Sequence, residues 1–173
     1  AQRIACGSGD LLASLETGYE IAIRAGIALH RTACDYHTSG AWNALACAAV
    51  AARLLRLSPE ATREALGIAE FHGPRSQMMR CIDHPTMVKD GSAWGAMAGV
   101  SAAFLAQAGF TGAPAITMEA PEVADLWADL GTRWRIAEQY FKPVPVCRWA
   151  QPAMRAAAEL VALHHVNPSE IAS

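Results

Sequence analysis

The residues best suited to chemistry lie in three polar clusters that separate apolar segments of the chain. The first cluster, residues 35–40, reads Asp-Tyr-His-Thr-Ser-Gly and directly precedes an alanine-rich segment. Its histidine, His37, has a side chain that can donate or accept a proton near neutral pH. Free N–H groups at the start of a following helix would attract an anion. The pattern predicts either an acid–base histidine beside an anion site or a capping turn whose histidine is merely exposed.

The second cluster, residues 72–89, contains several cations and directly precedes a glycine-rich segment. Arg75, Arg80 and Lys89 fall within it, and Lys89 is one of only two lysines in a chain with twelve arginines. Arginine and lysine side chains at this density suit a polycarboxylate or phosphate ligand. The alternative is a solvated loop whose cations pair with Asp83 and Asp90, which would carry no function.

The third cluster, residues 142–151, reads Lys-Pro-Val-Pro-Val-Cys-Arg-Trp-Ala-Gln. Its prolines favour an extended segment. Arg148 is of the type that holds a carboxylate, and Gln151 can form hydrogen bonds but cannot transfer a proton near neutral pH. A nucleophilic Cys147 would need a lowered pKa and a nearby base. We therefore expect Cys147 to be a buried structural thiol.

Helices must position these clusters. Apolar residues at helical spacing predict helices near residues 10–30, 38–57, 58–72, 92–108 and 149–165, and a short helix after Pro121. Residues 132–141 have a mixed pattern that predicts an extended segment. Gly91, Gly95 and Gly99 lie four residues apart, which predicts close packing of their helix against another one. The fold class that follows is all-α.

Composition excludes several classes of protein. Hydrophobic residues make up 53% and charged residues 17% of the 173 residues, which is typical of a folded domain rather than a disordered chain. The net charge of −2 and the lack of a basic patch argue against a nucleic-acid partner. The five cysteines include no C-x-x-C pair, so a zinc site is not expected. We expect instead that the cysteines are free thiols in a reducing cytoplasm.

The sequence also lacks a membrane-spanning segment, several well-known catalytic and nucleotide-binding motifs and a signal peptide, which excludes further classes of protein. Residues 91–118 carry no charge, but their apolar part is shorter than a bilayer requires, which predicts a buried core helix and no membrane partner. The sequence contains no G-x-G-x-x-G, P-loop, G-x-S-x-G or H-E-x-x-H motif. No signal peptide is recognisable, and the lack of an initiator methionine suggests a fragment or a processed piece.

Five motifs in the same order resemble the MmgE/PrpD family, which includes 2-methylcitrate dehydratases, cis-aconitate decarboxylases and an iminodisuccinate epimerase. The motifs lie at residues 18–20, 36–40, 87–91, 103–112 and 142–148. Residues 36–40 stand where the family commonly has a His-Pro-Thr-Gly turn, with Thr and Ser here in place of Pro and Thr. The resemblance implies that residues 1–141 are part of the family's helical domain. It also implies that residues 142–173 begin its α/β lid with the lid's first helix.

The function that this resemblance implies is that of a metal-independent lyase. The substrate would be a small di- or tricarboxylate, and the reaction a dehydration like that of 2-methylcitrate dehydratase. His37 and Lys89 match the family's catalytic positions, and Arg80, Arg148 and Gln151 are candidates for substrate binding. Because Gln151 stands where many members have a histidine, decarboxylation is less favoured than dehydration.

Other expectations follow from the same resemblance. An epimerase or a decarboxylase on the same scaffold stays open, and so does a non-catalytic helical dimerisation module. No metal and no other cofactor is expected. The protein would be a cytoplasmic homodimer that binds a small polycarboxylate, with neither nucleic acid nor a membrane as a partner.

Overall fold

The computed structural model describes residues 7–88, 90–167 and 169, which form helices and connecting segments without any strand. This confirms the all-α prediction. The chain divides into two compact units, residues 1–138 and 139–173. That division follows Glu138, close to the domain boundary predicted after Phe141, although it does not test the assignment of residues 142–173 to a lid.

Long helices dominate the first unit. They are α1 (Ser8–Thr32), α2 (Gly40–Leu55), α3 (Pro59–His72) and, after the short helix α4 (Met79–Asp83), α5 (Ser92–Gln107). Two short helices, α6 (Ile116–Glu119) and α7 (Ala124–Ala128), follow, with 3₁₀ turns at Pro121–Val123 and Arg135–Glu138. The predicted long helices are therefore confirmed, with ends that differ by a few residues.

The helix starts show two kinds of local chemistry. At the start of α3 the Ser58 hydroxyl accepts a hydrogen bond of 3.2 Å from the Ala61 N–H, and Pro59 occupies the first helical position. At the start of α2, Ser39 is the N-cap residue, but its side chain makes no capping bond. The Ser39 hydroxyl instead contacts the Ser92 hydroxyl at 2.7 Å. The sequence predicted the capping position and missed this bond to another helix.

The core of the first unit consists largely of alanine. Helices α2, α3 and α5 pack against one another through completely or almost completely buried small residues, among them Ala44, Ala48, Ala65, Ala69, Ala102 and Ala103. Gly95 and Gly99 lie at the closest approach of α5 to α2, where an added Cβ would collide with backbone atoms of Gly40 and Ala44. The predicted close packing of the glycine face is confirmed.

A buried arginine joins α1 to the last part of the first unit. Arg24 is completely buried, and its Nε donates to the Glu20 carboxylate at 2.6 Å. Its other nitrogens donate to the Asp129 carboxylate at 2.5 Å and to the Arg133 carbonyl at 2.6 Å. The second Glu20 oxygen accepts from the Ile136 N–H at 3.0 Å. These bonds hold residues 129–136 against α1.

The extended segment predicted for residues 132–141 is wrong, because residues 135–138 form a 3₁₀ turn. Two ion pairs stabilise this turn, since both Arg133 and Arg135 bond to the Glu138 carboxylate, at 2.5 and 3.1 Å. Ion pairs between residues three to five positions apart favour a turn over a strand. The mixed apolar pattern gave no sign of this pairing.

The second unit contains α8 (Gln151–His164), preceded by a 3₁₀ turn at Arg148–Ala150. The predicted helix at 149–165 is confirmed, whereas Cys147 is exposed rather than buried. Within the part of the chain that the structure describes, every helix is too short or too polar to cross a membrane.

Candidate functional site

His37 lies in the short segment between α1 and α2, where it forms an isolated antiparallel bridge with Gln77. Two backbone hydrogen bonds of 2.8 and 2.9 Å join residues 36–38 to residues 76–78. The bridge brings the chain that follows α3 alongside the segment that precedes α2. The first and second sequence clusters are thus neighbours in the fold.

The His37 imidazole is completely buried. Its Nδ1 lies 2.9 Å from the Asp35 carbonyl oxygen, and because a carbonyl only accepts hydrogen bonds, we assign the proton to Nδ1. In the neutral ring Nε2 then carries a lone pair, and this atom has no hydrogen-bond partner among the described residues. The alternative of an exposed histidine in a capping turn is therefore wrong.

Burial is the main cause that lowers the pKa of His37 below the usual value for histidine. The hydrogen bond to the Asp35 carbonyl and the Asp35 charge raise that pKa, while His30 and Arg75 lower it further. The net shift favours the neutral imidazole near pH 7. A neutral ring with a free Nε2 lone pair can accept a proton.

Two aromatic rings cover His37. The His30 ring, from the last turn of α1, lies 5.2 Å from the His37 ring between centroids, and the Trp42 ring of α2 lies 5.8 Å away. The His30 and Trp42 rings are themselves 5.2 Å apart. Nothing in the spacing of the sequence pointed to His30, which reads there as an ordinary basic residue at a helix end.

The starts of α2 and α5 meet beside this histidine. The Gly40 N–H donates to the Asp90 carbonyl at 3.3 Å, and the Asn43 side-chain amide donates to the Ser92 hydroxyl at 3.0 Å. The sequence predicted that these two helix ends would face one cleft, and residues 39–43 and 90–92 lie together as expected. Lys89 itself lies outside the described residues, so the pairing of His37 with Lys89 stays a prediction.

A solvent-open cavity of about 910 Å³ lies against the first turn of α5. Its lining includes Ser76, residues 86–88 and residues 90–94. The N–H groups of a first helical turn have no intrahelical partner, and the helix dipole is positive there. The N–H groups at the start of α5 therefore favour a carboxylate in the cavity, whereas the carboxylate of Asp90, which also lines it, opposes one.

Thr38 is a second buried polar residue at the same place. Its hydroxyl is completely buried, and its Oγ1 has no hydrogen-bond partner in the described chain. It lies against Gly91, whose φ of 77° is a conformation that glycine adopts without strain and that places the first turn of α5. Thr38 and His37 thus leave two unsatisfied polar atoms next to each other in the sequence.

Arg80 lies in a neighbouring concavity rather than in the cavity at α5. It is exposed, and this concavity of about 570 Å³ is also lined by Asp35, Arg75, Ser76 and Gln77. Arg75 forms an ion pair with Asp35 at 2.7 Å. Because Ser76 lines both spaces, Arg80 is adjacent to the α5 cavity but does not line it.

The two candidates in the second unit differ from expectation in their contacts. The Arg148 guanidinium lies 5.5 Å from the centre of the Tyr140 ring, a cation–π contact at the surface. The Gln151 amide nitrogen donates to the carbonyls of Val144 and Val146 at 2.8 and 3.0 Å. Oε1 of Gln151 has no hydrogen-bond partner among the residues that the structure describes, and that atom suits a hydroxyl donor rather than a carboxylate.

Within residues 7–88, 90–167 and 169, the structure contains no metal-binding group of three or more histidine, cysteine, aspartate or glutamate side chains.

The sequence analysis did not identify Asn43 and Ser92, which join the two helix starts. A serine directly after a glycine at a helix start was the available signal for Ser92.

Comparison with known proteins agrees with the resemblance in the motifs. A family model described as the MmgE/PrpD N-terminal domain matches residues 1–128. A search of curated proteins found no match. The matched range includes His37, Arg80 and Lys89, whereas Arg148 and Gln151 lie beyond it.

Proposed function

The chain belongs to the MmgE/PrpD family, which includes lyases, and from that premise we propose that it is a metal-independent lyase for a small di- or tricarboxylate. The preferred reaction is a dehydration of the 2-methylcitrate dehydratase type. A base removes the proton next to a carboxylate, and an acid assists departure of the hydroxyl group. Groups that hold the carboxylates also stabilise the negative charge that develops on the substrate.

One observation carries the proposal: the starts of α2 and α5 meet next to a buried, unsatisfied histidine. Ser39 and Ser92 are in contact at 2.7 Å and Ser92 lines the α5 cavity, so the positive end of α5 faces this cavity and the start of α2 lies next to that end. An anionic substrate there would be held by backbone N–H groups and hydroxyls. His37 supplies the lone pair that accepts the proton.

The other site residues take roles of different weight in this proposal. Lys89, which the sequence places directly before Asp90, would add a full positive charge for a carboxylate. Arg80 would attract the anion from the neighbouring concavity. Arg148 and Gln151, in residues that we propose to begin a lid, stay candidates for substrate binding. A cytoplasmic location is part of the same proposal.

Product analysis tests the reaction class. The intact protein is incubated in D₂O with 2-methylcitrate, citrate, cis-aconitate or iminodisuccinate and followed by NMR. Dehydration of the first or second compound gives a new alkene signal, whereas epimerisation exchanges a carbon-bound proton for deuterium without an alkene. Decarboxylation of cis-aconitate loses a carboxylate carbon. We expect the alkene, and an epimerised or decarboxylated product would select one of the alternatives on this scaffold.

The metal-free part of the proposal has its own test. Treatment with a chelator should leave turnover unchanged. Activity that disappears with the chelator and returns with iron would contradict the proposed mechanism. The experiment needs no knowledge of which candidate substrate is the natural one, provided that one of them is turned over.

A second candidate is a non-catalytic dimerisation module. An apolar groove of about 620 Å³ runs between α1, α2 and α5, and Leu15, Tyr19, Val100 and Phe104 expose large side chains in it. Such exposed apolar surface is typical of an interface, and the family resemblance predicts a homodimer. Turnover of none of the four compounds, together with a dimer in light scattering, would favour this candidate. A monomer at micromolar concentration would contradict it.

A further inference from the structure

The ring of His30, which faces solvent, is in contact with the ring of the buried His37. His37 has no exposed surface, while His30 is exposed at the end of α1. A buried acid–base group that works repeatedly needs a route by which its proton exchanges with water. The contact between the two rings is where such a route would begin.

The hydrogen bonds of the two rings indicate which nitrogen of each ring carries a proton. His30 Nδ1 lies 2.7 Å from the Gly26 carbonyl oxygen, and His37 Nδ1 lies 2.9 Å from the Asp35 carbonyl oxygen. Both Nδ1 atoms therefore carry a proton, and each ring has Nε2 as its exchangeable position. Protonated His30 would carry an Nε2–H, which is the donor that His37 Nε2 lacks.

The position of the rings permits this exchange. Their centroids are 5.2 Å apart and their planes are inclined by 33°. Because His30 is exposed, water can exchange protons with its ring while the bond between Nδ1 and the Gly26 carbonyl stays in place. A water molecule between the two Nε2 atoms would carry the proton on to His37.

We propose that His30 is a positioning and proton-relay residue that loads and unloads His37. In the relay the N–H bond at His30 Nε2 breaks as an N–H bond forms at His37 Nε2, and the positive charge moves with the proton. His30 then takes a new proton from water, and the reverse sequence removes the proton from His37. This inference rests on the proposed acid–base role of His37.

The groups that face His37 set the pH behaviour expected of the relay. They are His30 on α1, Asp35 in the segment before α2, and Arg75 in the segment after α3. Asp35 and Arg75 form an ion pair with each other at 2.7 Å. The charges of His30 and Arg75 both lower the pKa of His37, so replacing His30 with an uncharged residue should raise that pKa.

The test replaces His30 with phenylalanine in the intact protein, which keeps an aromatic ring against Trp42 and removes both nitrogens. We expect kcat to fall on the order of tenfold with little change in KM, because proton delivery rather than substrate binding is impaired. The acid limb of the kcat/KM profile should move to higher pH, since a neighbouring positive charge no longer opposes protonation of His37. His72→Phe is the matched control, because His72 is also an exposed histidine in the last turn of a helix next to an aromatic ring.

A second variant separates a relay from a merely structural role. His30→Ala leaves space for a small base, and imidazole added to the solution should restore part of the lost kcat. Restoration supports the relay even if the phenylalanine variant fails to fold. Unchanged kcat in a folded His30 variant, or a loss that imidazole does not restore, would overturn the relay.

The variant His37→Gln distinguishes an error in the proposed relay from an error in the proposed function. If His37→Gln abolishes activity while both His30 variants behave like the parent, the relay is wrong and the acid–base role of His37 stands. If His37→Gln is fully active, the acid–base role itself is wrong, and the relay is wrong with it.

Discussion

Two sets of buried polar side chains in the first unit differ in how completely they are hydrogen-bonded. In the Arg24 cluster, which comprises Glu20, Arg24 and Asp129, the arginine donates to two carboxylates and to backbone carbonyls. In the His37 cluster, which comprises His37 and Thr38, one ring nitrogen and one hydroxyl have no partner among the described residues. Glu20 and Arg24 are buried as completely as His37 and Thr38, whereas the Asp129 side chain is 33% exposed. Burial alone therefore does not explain why the His37 cluster is left unpaired.

The difference separates a structural role from a functional one. Fully paired buried charges hold elements in place, and removing one partner leaves the other uncompensated. An unpaired buried polar atom costs about 1–3 kcal/mol and needs a reason to persist. We interpret the Arg24 cluster as a clamp between α1 and residues 129–136, and the His37 cluster as the part that meets substrate.

The largest expected effect on stability comes from breaking the Arg24 cluster. Arg24→Met would leave the Glu20 carboxylate buried without its cation, so we expect the free energy of unfolding to fall by about 3–5 kcal/mol. Arg63→Met is the control, because Arg63 pairs with Glu119 at the surface and should change stability little. Chemical denaturation of both variants makes the comparison. Equal, small losses would show that the Arg24 cluster is not a clamp.

A smaller loss is expected where α5 approaches the His37 cluster. Gly95→Ala places a Cβ against the backbone of Gly40, and overpacking of this kind costs about 1–3 kcal/mol. Gly9→Ala is the control, since that glycine of α1 has open space around it and alanine favours helix. Thermal unfolding should show destabilisation at position 95 alone. A Gly95→Ala protein that melts like the parent would contradict the close packing.

The Thr38 hydroxyl should contribute nothing to stability, in contrast to Arg24. Thr38→Val keeps the shape of the side chain and removes an unpaired polar atom, so we expect stability that is unchanged or increased by up to about 1 kcal/mol. Denaturant unfolding of the variant measures this. A clear loss of stability would mean that the hydroxyl has a partner in the folded protein, and the contrast between the clusters would weaken.

The two clusters should also affect the pH dependence of stability in separate pH ranges. Because burial lowers the pKa of His37, the unfolded chain binds more protons than the folded one as the pH falls from about 7 to about 5, and stability decreases over that range. The Glu20 pKa is raised by burial, but hydrogen bonds from Ile136 and Arg24 outweigh this and lower it. Its stabilisation is therefore lost only at more acidic pH, below about 4.5.

Unfolding measured along a pH series checks these two ranges. His37→Gln should flatten the change between about pH 7 and 5 and leave the acidic range alone. Arg24→Met should alter the acidic range, because the Glu20 pKa loses one of its main partners. A parent protein whose stability is constant from pH 7 to pH 5 would contradict the neutral, buried His37.

The sequence predicted the helices well because their signals are local. The helix start at Ser58 and Pro59 and the apolar spacing of α1 are patterns within a few neighbouring positions. The glycine face of α5 predicted a close contact with another helix but did not indicate which helix. His37 was recognised as a candidate from its residue type and its position before a helix. The sequence did not predict that His37 is buried, because its burial depends on contacts with His30, Trp42 and residues 76–78.

Polar pairs between distant segments could not be predicted either, because they leave no local pattern in the sequence. Glu20 and Arg24 lie four residues apart on α1, which suggests a helix pair, but their bonds to Asp129 and Ile136 span more than a hundred positions. The contact of Ser39 with Ser92 likewise depends on how α2 and α5 pack. Gln151 was expected to hold a carboxylate, and the sequence did not show that its amide nitrogen donates to the carbonyls of Val144 and Val146.

The central claim is that the unsatisfied His37 is the acid–base group, and the kinetics of His37→Gln test it most directly. The intact variant is compared with the parent on whichever polycarboxylate the parent turns over, with the exposed His84→Gln as the matched control. We expect kcat/KM to fall on the order of 10²–10⁴-fold at unchanged thermal stability, and the control to behave like the parent. A folded His37→Gln protein with near-normal kcat/KM would contradict the account.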